Sequence, residues 1–171
     1  MRLPSVSAVR IGYDDRMGDI SVRLAQASDR DALSRLREAL WPTASAEELS
    51  RELAAILSGK IPGTLPLVNF VAEASDGSLL GFAEVGLRSH AEGCDPSLPV
   101  GYVEGWYVVE GQRRRGIGKK LLAAAEDWAR RQGCVEMASD TSPENQVSQR
   151  VHKSLGFAEI ERSVNFRKAL R

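Results

Sequence analysis

The sequence predicts an α/β domain built on a mixed sheet covered by helices. Three features carry that expectation. Strand-like and helix-like runs succeed one another in the order β-α-α-β-β-β-α-β-α-β-β. Two apolar runs meet at Asp76-Gly77, a pair that favours a tight hairpin turn. A basic, glycine-containing turn, Gln112 to Gly118, joins the apolar run Gly105 to Val109 to an amphipathic run, Lys119 to Gln132. The chain has 171 residues, 43% hydrophobic and 27% charged, which suits one globular domain with its own core.

Residues 1–18 are mixed and aperiodic, and are expected to be a poorly ordered N-terminal extension to a domain covering 19–171. Met17 stands just ahead of the first regular run, so a shorter start would omit 1–16. Ile20 to Leu24 alternates as a short strand. Ser28 suits an N-cap, with Asp29 and Asp31 in the first turn of a helix to Leu40. Leu33, Leu36 and Leu40 share its apolar face, and Pro42 ends it. Ser45 caps a second helix over about 46–58, closed by Gly59. Leu67 to Ala74 and Leu79 to Arg88 are strands, 89–99 is a loop, and Val100 to Val109 is the next strand. Gly133 closes the helix after the basic turn, and Val135 to Ser139 is a strand. Asp140-Thr141-Ser142-Pro143 begins a last helix ending at Leu155-Gly156. Ala158 to Arg162 and Val164 to Arg167 are expected to close as a hairpin.

The basic turn carries the chemistry. Glycine at a strand-to-helix junction lets backbone approach a ligand closely. The helix N-terminus adds unpaired N–H groups and the positive end of a dipole, together an anion site. Arg113, Arg114, Arg115, Lys119 and Lys120 crowd the same stretch. Cations at a helix N-terminus are mildly unfavourable unless an anion joins them. The G-x-x-x-x-G-K-[ST] loop and a G-x-G-x-x-G in a first strand-helix unit are both absent. What stands there is R-x-x-G-x-G, whose amides from Arg113 through Gly116, Ile117 and Gly118 would wrap a pyrophosphate. Just upstream, Glu84, Glu92, Asp95, Glu104 and Glu110 face only Arg88, so a cation site is expected beside the anion site.

Other classes find little support. The formal net charge is +0, so no global field draws the chain to nucleic acid or a membrane. No apolar run approaches a membrane span, and the N-terminus lacks a signal-peptide core. Cys94 and Cys134 allow one disulfide on parity, but a chain this size does not need one, and reduced thiols in the cytoplasm are the expectation. With two histidines and no C-x-x-C or H-E-x-x-H, no metal is expected.

A strand, then Q/R-x-x-G-x-G/A, then a helix, in the element order above, resembles the GCN5-related N-acetyltransferase (GNAT) superfamily over roughly Ser21 to Lys168. Leu40-Trp41-Pro42, Gly93-Cys94-Asp95, Val103-Glu104-Gly105 and Met137 through Asn145 resemble the aminoglycoside 6′-N-acetyltransferases. So do Val151-His152-Lys153 and Leu155-Gly156-Phe157. The resemblance implies a mostly antiparallel central sheet with helices on both faces. It implies acetyl transfer from acetyl-CoA to the 6′-amine of an aminoglycoside, conferring resistance. It further implies a strand around 103–109 that splays from the one around 135–139 to admit the pantetheine arm. A homodimer is expected, with 158–167 at its contact.

An ammonium has no free lone pair, so the protein must either select the neutral amine or accept the proton, which a carboxylate can take directly or through one water. Glu104, in an otherwise apolar strand, fits that role, the alternative being an outward-facing strand residue. A backbone N–H near Val108 would stabilise the oxyanion. No acyl-enzyme is needed, so Cys134 need not be a nucleophile. The resemblance places Asp140 at the substrate amines and Trp41 at the pocket wall. Their competing readings are a helix cap and plain packing. Asp95 lies in a loop that could close over the sugar, whereas His90, Glu136 and Glu144 read as surface. Asn145 matches a coenzyme-contacting position and reads equally as a helix-surface amide.

Where many superfamily members carry Tyr in Y-x-x-L-G-F, this chain has His152. His152 could act as the acid for the leaving thiolate, the thiolate could leave unassisted, or His152 could only pack. Two further functions stay open: acetylation of another small amine or a protein N-terminus, and non-enzymatic sensing of acyl-CoA.

Overall fold

The computed structural model describes residues 20–59 and 65–170. The expected extension at 1–18 lies outside the described residues. The elements are β1 (Ser21–Leu24), α1 (Arg30–Leu40), α2 (Ala46–Leu57), β2 (Leu67–Glu73), β3 (Leu79–Arg88), β4 (Val100–Val108), α3 (Ile117–Arg131), β5 (Met137–Ser139) and α4 (Gln146–Ser154). The strands form one sheet in chain order. The first three ladders are antiparallel, and β4–β5 is parallel. This is the mixed, mostly antiparallel sheet that was expected.

Period-two alternation divides the core between the two faces. Phe70, Ala72, Ala83 and Val85 meet Ile117, Leu121 and Ala125 of α3 on one face. Val71 and Phe82, next to them in sequence, meet Leu33, Leu36 and Leu53 of α1 and α2 on the other. The apolar stripe read from α1 therefore does its expected work. The Asp76-Gly77 turn also forms, with Gly77 at φ 83 and Asp76 Oδ1 accepting from the Ser78 amide at 2.9 Å.

One feature of the α1 face was not apparent in the sequence. Arg37 is 1% exposed and Glu84 6% exposed. Arg37 Nη1 lies 2.9 Å from Glu84 Oε2, a charge contact whose N–H direction misses hydrogen-bond alignment. Its Nη2 donates to the exposed Glu52 at 3.1 Å, and its guanidinium lies 5.1 Å from the Trp41 ring centre. Burial pushes the Glu84 carboxyl above its ordinary value, against the opposing pull of Arg37. The pair ties α1 and α2 to β3 and backs the Trp41 side chain.

Three boundaries differ from expectation. Ser28 caps nothing; Asp29 accepts from the Gln26 amide at 2.7 Å and from Arg23 at 2.7 and 2.9 Å, closing a short 3-10 turn ahead of α1. The last helix does not begin at 140–143. Residues 142–145 turn first, with the Asn145 amide on the Ser142 carbonyl at 2.9 Å, and α4 starts at Gln146. The closing hairpin over Ala158–Arg162 and Val164–Arg167 is absent: 158–170 run without a ladder partner. A two-stranded hairpin needs a neighbouring strand or core to hold it, and β5 offers three residues.

Removing one partner of a buried ion pair strands the other charge. Arg37→Ala is expected to lower unfolding free energy by about 3 kcal/mol in urea titration, with a joint Arg37→Met, Glu84→Leu exchange recovering most of it. A loss below about 1 kcal/mol for the single variant would contradict this role for the pair.

Candidate active site

β5 pairs with β4 only through Gly101, Tyr102 and Val103. Beyond that point the two strands part, and among the described residues the edge of β4 from Glu104 to Val108 has no ladder partner. On the opposite edge, the Val109 amide donates to the Leu80 carbonyl at 2.9 Å, and Gly81 is opposite Val108. Antiparallel alternation then turns the N–H groups of Trp106 and Val108 away from β3 and towards the open edge. A buried edge without partners costs free energy unless a ligand satisfies it.

The basic turn follows directly. Glu110–Gln112 make one 3-10 turn, and the Arg113 amide closes on the Glu110 carbonyl at 3.2 Å. Arg114 (φ 61) and Gly116 (φ 73) are both left-handed, a conformation that Gly116 adopts without steric cost. Among the described residues, no backbone acceptor takes the amides of 114–119, so they form a nest at the start of α3. Gly118 lies under the Trp106 indole, where a Cβ would come within 2.7 Å of the ring. Arg113 is folded back, its Nε donating to the Val108 carbonyl at 3.1 Å, and Arg115 bonds Gln112. Lys120 points elsewhere, to the Ile20 carbonyl at 3.4 Å. The anion site is thus mostly backbone amide, with fewer free cations than the sequence suggested.

The acidic residues converge on the α1 face of β4. Glu84 pairs with Gly105 and Val85 with Val103, which leaves Glu104 as the extra residue of a β-bulge. Both Glu104 oxygens are taken by Arg88, from Nε at 3.0 Å and Nη2 at 2.6 Å. Two residues earlier on the same face, the Tyr102 hydroxyl donates to Asp140 Oδ1 at 2.7 Å. Burial first, then Asp140, holds the Tyr102 phenol above its ordinary value, so it remains the donor. Trp41 packs edge-on to Phe82 at 6.0 Å and against Gly105, where a Cβ would stand 2.5 Å from the indole. Trp41 is therefore set beside Glu104.

Asp140 does not cap α4; that role falls to Asn145, whose Oδ1 accepts from the Ser148 amide at 3.0 Å. Asp95 is apart from the other acids. Its Oδ1 accepts from the Ser97 amide and hydroxyl at 2.8 and 2.6 Å, and its amide donates to Glu136 at 2.7 Å. His152 sits 3.1 Å by Nε2 from the Ser139 hydroxyl, and its Nδ1 lies 2.8 Å from the Ser148 carbonyl. A carbonyl only accepts, so Nδ1 carries a proton. Ser139 in turn reaches the Val103 carbonyl at 3.2 Å, at the place where β4 and β5 part.

The sequence reading missed Arg88, Tyr102 and Ser139 as site residues. The strand period could have found Tyr102, two residues before Glu104. A cleft of about 660 Å³ opens beside β5, lined by Tyr102, Asp140, His152 and residues 157–163. Neither Glu104, Trp41 nor the basic turn lies on its wall, and part of its outer wall is the unpaired tail.

The acetyltransferase (GNAT) family model matches residues 31–157. An aminoglycoside N(6′)-acetyltransferase type 1 of Klebsiella aerogenes is 43% identical over 149 residues, 87% of this chain and 96% of the relative. Its counterpart in Serratia marcescens is 45% identical over 141 residues, 82% of this chain and 92% of the relative. Among solved structures, AAC(6′)-Iy in complex with the bisubstrate analog CoA-S-monomethyl-acetylneamine superposes with a TM-score of 0.81 and 38% identity. That match covers 90% of this chain and 100% of the other. With its open β4 edge, its amide nest and these matches, the chain belongs to the GNAT family of acetyltransferases.

Proposed function

We propose that the protein transfers the acetyl group of acetyl-CoA directly to the 6′-amine of aminoglycoside antibiotics, and so confers resistance. The observation that carries the reading is the meeting, on β4, of an unpaired edge leading into an amide nest and a bulged Glu104 backed by Asp140 and Trp41. The first suits a pantetheine arm ending in a diphosphate, the second a sugar bearing ammonium groups. The identity to the Klebsiella and Serratia enzymes supports the acceptor.

In this reading Glu104 takes one proton from the 6′-ammonium, which frees the nitrogen lone pair. Nitrogen adds to the thioester carbon, and the Val108 N–H meets the oxygen as it becomes negative. Collapse breaks the C–S bond, and as the amide forms the second amine proton passes to the departing thiolate, which leaves as the thiol. Asp140 holds a neighbouring ammonium by its free oxygen. Arg113 to Gly118 anchor the diphosphate, and Asn145, already spent on its cap, offers only its amide N–H groups. His152 rests with Nδ1 protonated and Nε2 on Ser139. To act as acid for the thiolate it would have to carry a second proton, on Nε2, which passes to sulfur through that hydroxyl, and a thiolate also leaves well unassisted. Asp95, held in its own turn, would reach the sugar only if the 89–99 loop moved. The cytoplasm, where acetyl-CoA is available, is the working compartment.

A homodimer accompanies the reading. Ile160, Val164, Phe166 and Leu170 are exposed along the tail, Phe166 at 93%. The adjoining β5 is an edge strand three residues long. A second copy is the partner that would cover both.

Purified protein mixed with acetyl-CoA, a thiol reagent and kanamycin or tobramycin should release CoA, and NMR should find the acetyl group on the 6′ nitrogen. No release with any aminoglycoside bearing that amine would end the substrate assignment. Transfer only to polyamines or protein N-termini would redirect it. Glu104→Gln should lower kcat/KM for kanamycin by about 100-fold, the scale of one general base, with KM for acetyl-CoA unchanged. An undiminished rate would remove Glu104 from the chemistry. Light scattering should give the mass of two chains, and Phe166→Glu that of one. A wild-type monomer at micromolar concentration would refute the tail contact.

A further inference from the structure

Arg88 lies among the acidic groups assigned to the acceptor, yet no step of the transfer uses it. Its guanidinium fills both Glu104 oxygens, at 3.0 and 2.6 Å, and its central carbon stands 3.3 Å from the Tyr102 ring centre. The hydroxyl of that same ring holds Asp140. The acidic pocket therefore already contains a cation, supplied by the chain.

We propose that Arg88 is the resident counter-ion of the acceptor pocket and that an ammonium of the substrate displaces it from Glu104. The proposal rests on the reading of Glu104 as the partner of the amine. A bidentate guanidinium leaves no oxygen of Glu104 fully open, so an incoming ammonium must replace at least one of its N–H donors. The side chain of Arg88 is 42% exposed, and an ion pair in contact with water is weak enough to exchange. Tyr102 gives the displaced guanidinium a place to rest, because a cation over an aromatic face is stabilised without a carboxylate. Arginine keeps its charge at every working pH, so this competitor is always present.

Specificity follows from the same arrangement. A monoamine brings one charge and must spend it against Arg88. A polycation brings a second ammonium for the free oxygen of Asp140, and so offsets the displacement. The pocket is therefore set to prefer acceptors with several amines over those with one.

Calorimetric titration of kanamycin into the wild type and R88Q tests this, alongside steady-state kinetics. R88Q is expected to bind about three- to fivefold tighter, the worth of one exposed ion pair, and to lower KM for kanamycin equally while KM for acetyl-CoA stays put. R88K, which keeps a cation, should stay near the wild type. In an E104Q background the R88Q change should bring no gain. Unchanged or weaker binding by R88Q overturns the proposal. An equal gain in the E104Q background also overturns it, since a bulk charge effect would then explain the result. A wild type that binds kanamycin but releases no CoA refutes the transfer reading and leaves the displacement standing, whereas a wild type that binds none overturns both.

Discussion

Everything at the site depends on where β5 stops. Its ladder with β4 ends at Ser139, the third residue of the strand. Tyr102 then draws Asp140 towards the face of β4, and the Ser139 hydroxyl closes on the Val103 carbonyl. Had β5 continued, the edge groups of Trp106 and Val108 would be spent on a ladder. Because it stops, those groups face an opening that runs straight into the nest at 114–119. A sheet normally protects its edges, so an edge left open inside the fold, next to an anion site, is a place kept for a ligand's polar chain.

The same strand also separates the two reactants. In the proposed reading, the edge of β4 serves the acetyl donor and its α1 face serves the acceptor. A regular strand would space its side chains evenly along that face. The bulge at Glu104 inserts one residue and lets Glu104 and Gly105 both address it. Gly105 then admits the Trp41 ring, and Arg37 with Glu84 backs the ring from below. Buried ion pairs seldom stabilise more than an apolar replacement would. Here the pair fixes where α1 ends over the sheet, which is where Trp41 stands.

Much of the fold was legible because its signals are local. Hairpin chemistry at Asp76-Gly77, the Ser45 cap and the Leu33–Leu36 stripe each depend on a few neighbouring residues. The basic turn at 112–118 was legible for the same reason, although the Arg113 amide is spent on the Glu110 carbonyl. The closing hairpin was misread because alternation at 158–167 reports what a segment could pair with, and the neighbouring edge strand β5 offers only three residues. The start of α4 was misread because Asp140 was a plausible cap by type, while its carboxylate was already committed to Tyr102, 38 residues away. Arg88 was visible only as a charge. Its partner is set by the register of β3 on β4, which no local pattern states.

That register also explains how a chain of zero net charge can hold a polycation and a polyanion side by side. Whole-molecule charge says nothing about either site, since 23 Lys and Arg residues offset 23 Asp and Glu. What matters is that β4 ends in a turn whose amides carry positive potential without needing free side-chain cations. Arg113 and Arg115 are folded back, and Lys120 reaches β1. An array of mobile cations at the nest would compete with an aminoglycoside for Glu104 and Asp140. Backbone dipoles cannot migrate, so in the proposed reading the positive potential stays at the diphosphate end. Among the described residues, the cation inside the acidic pocket is Arg88, which is tethered on β3, holds Glu104 and can yield to an amine.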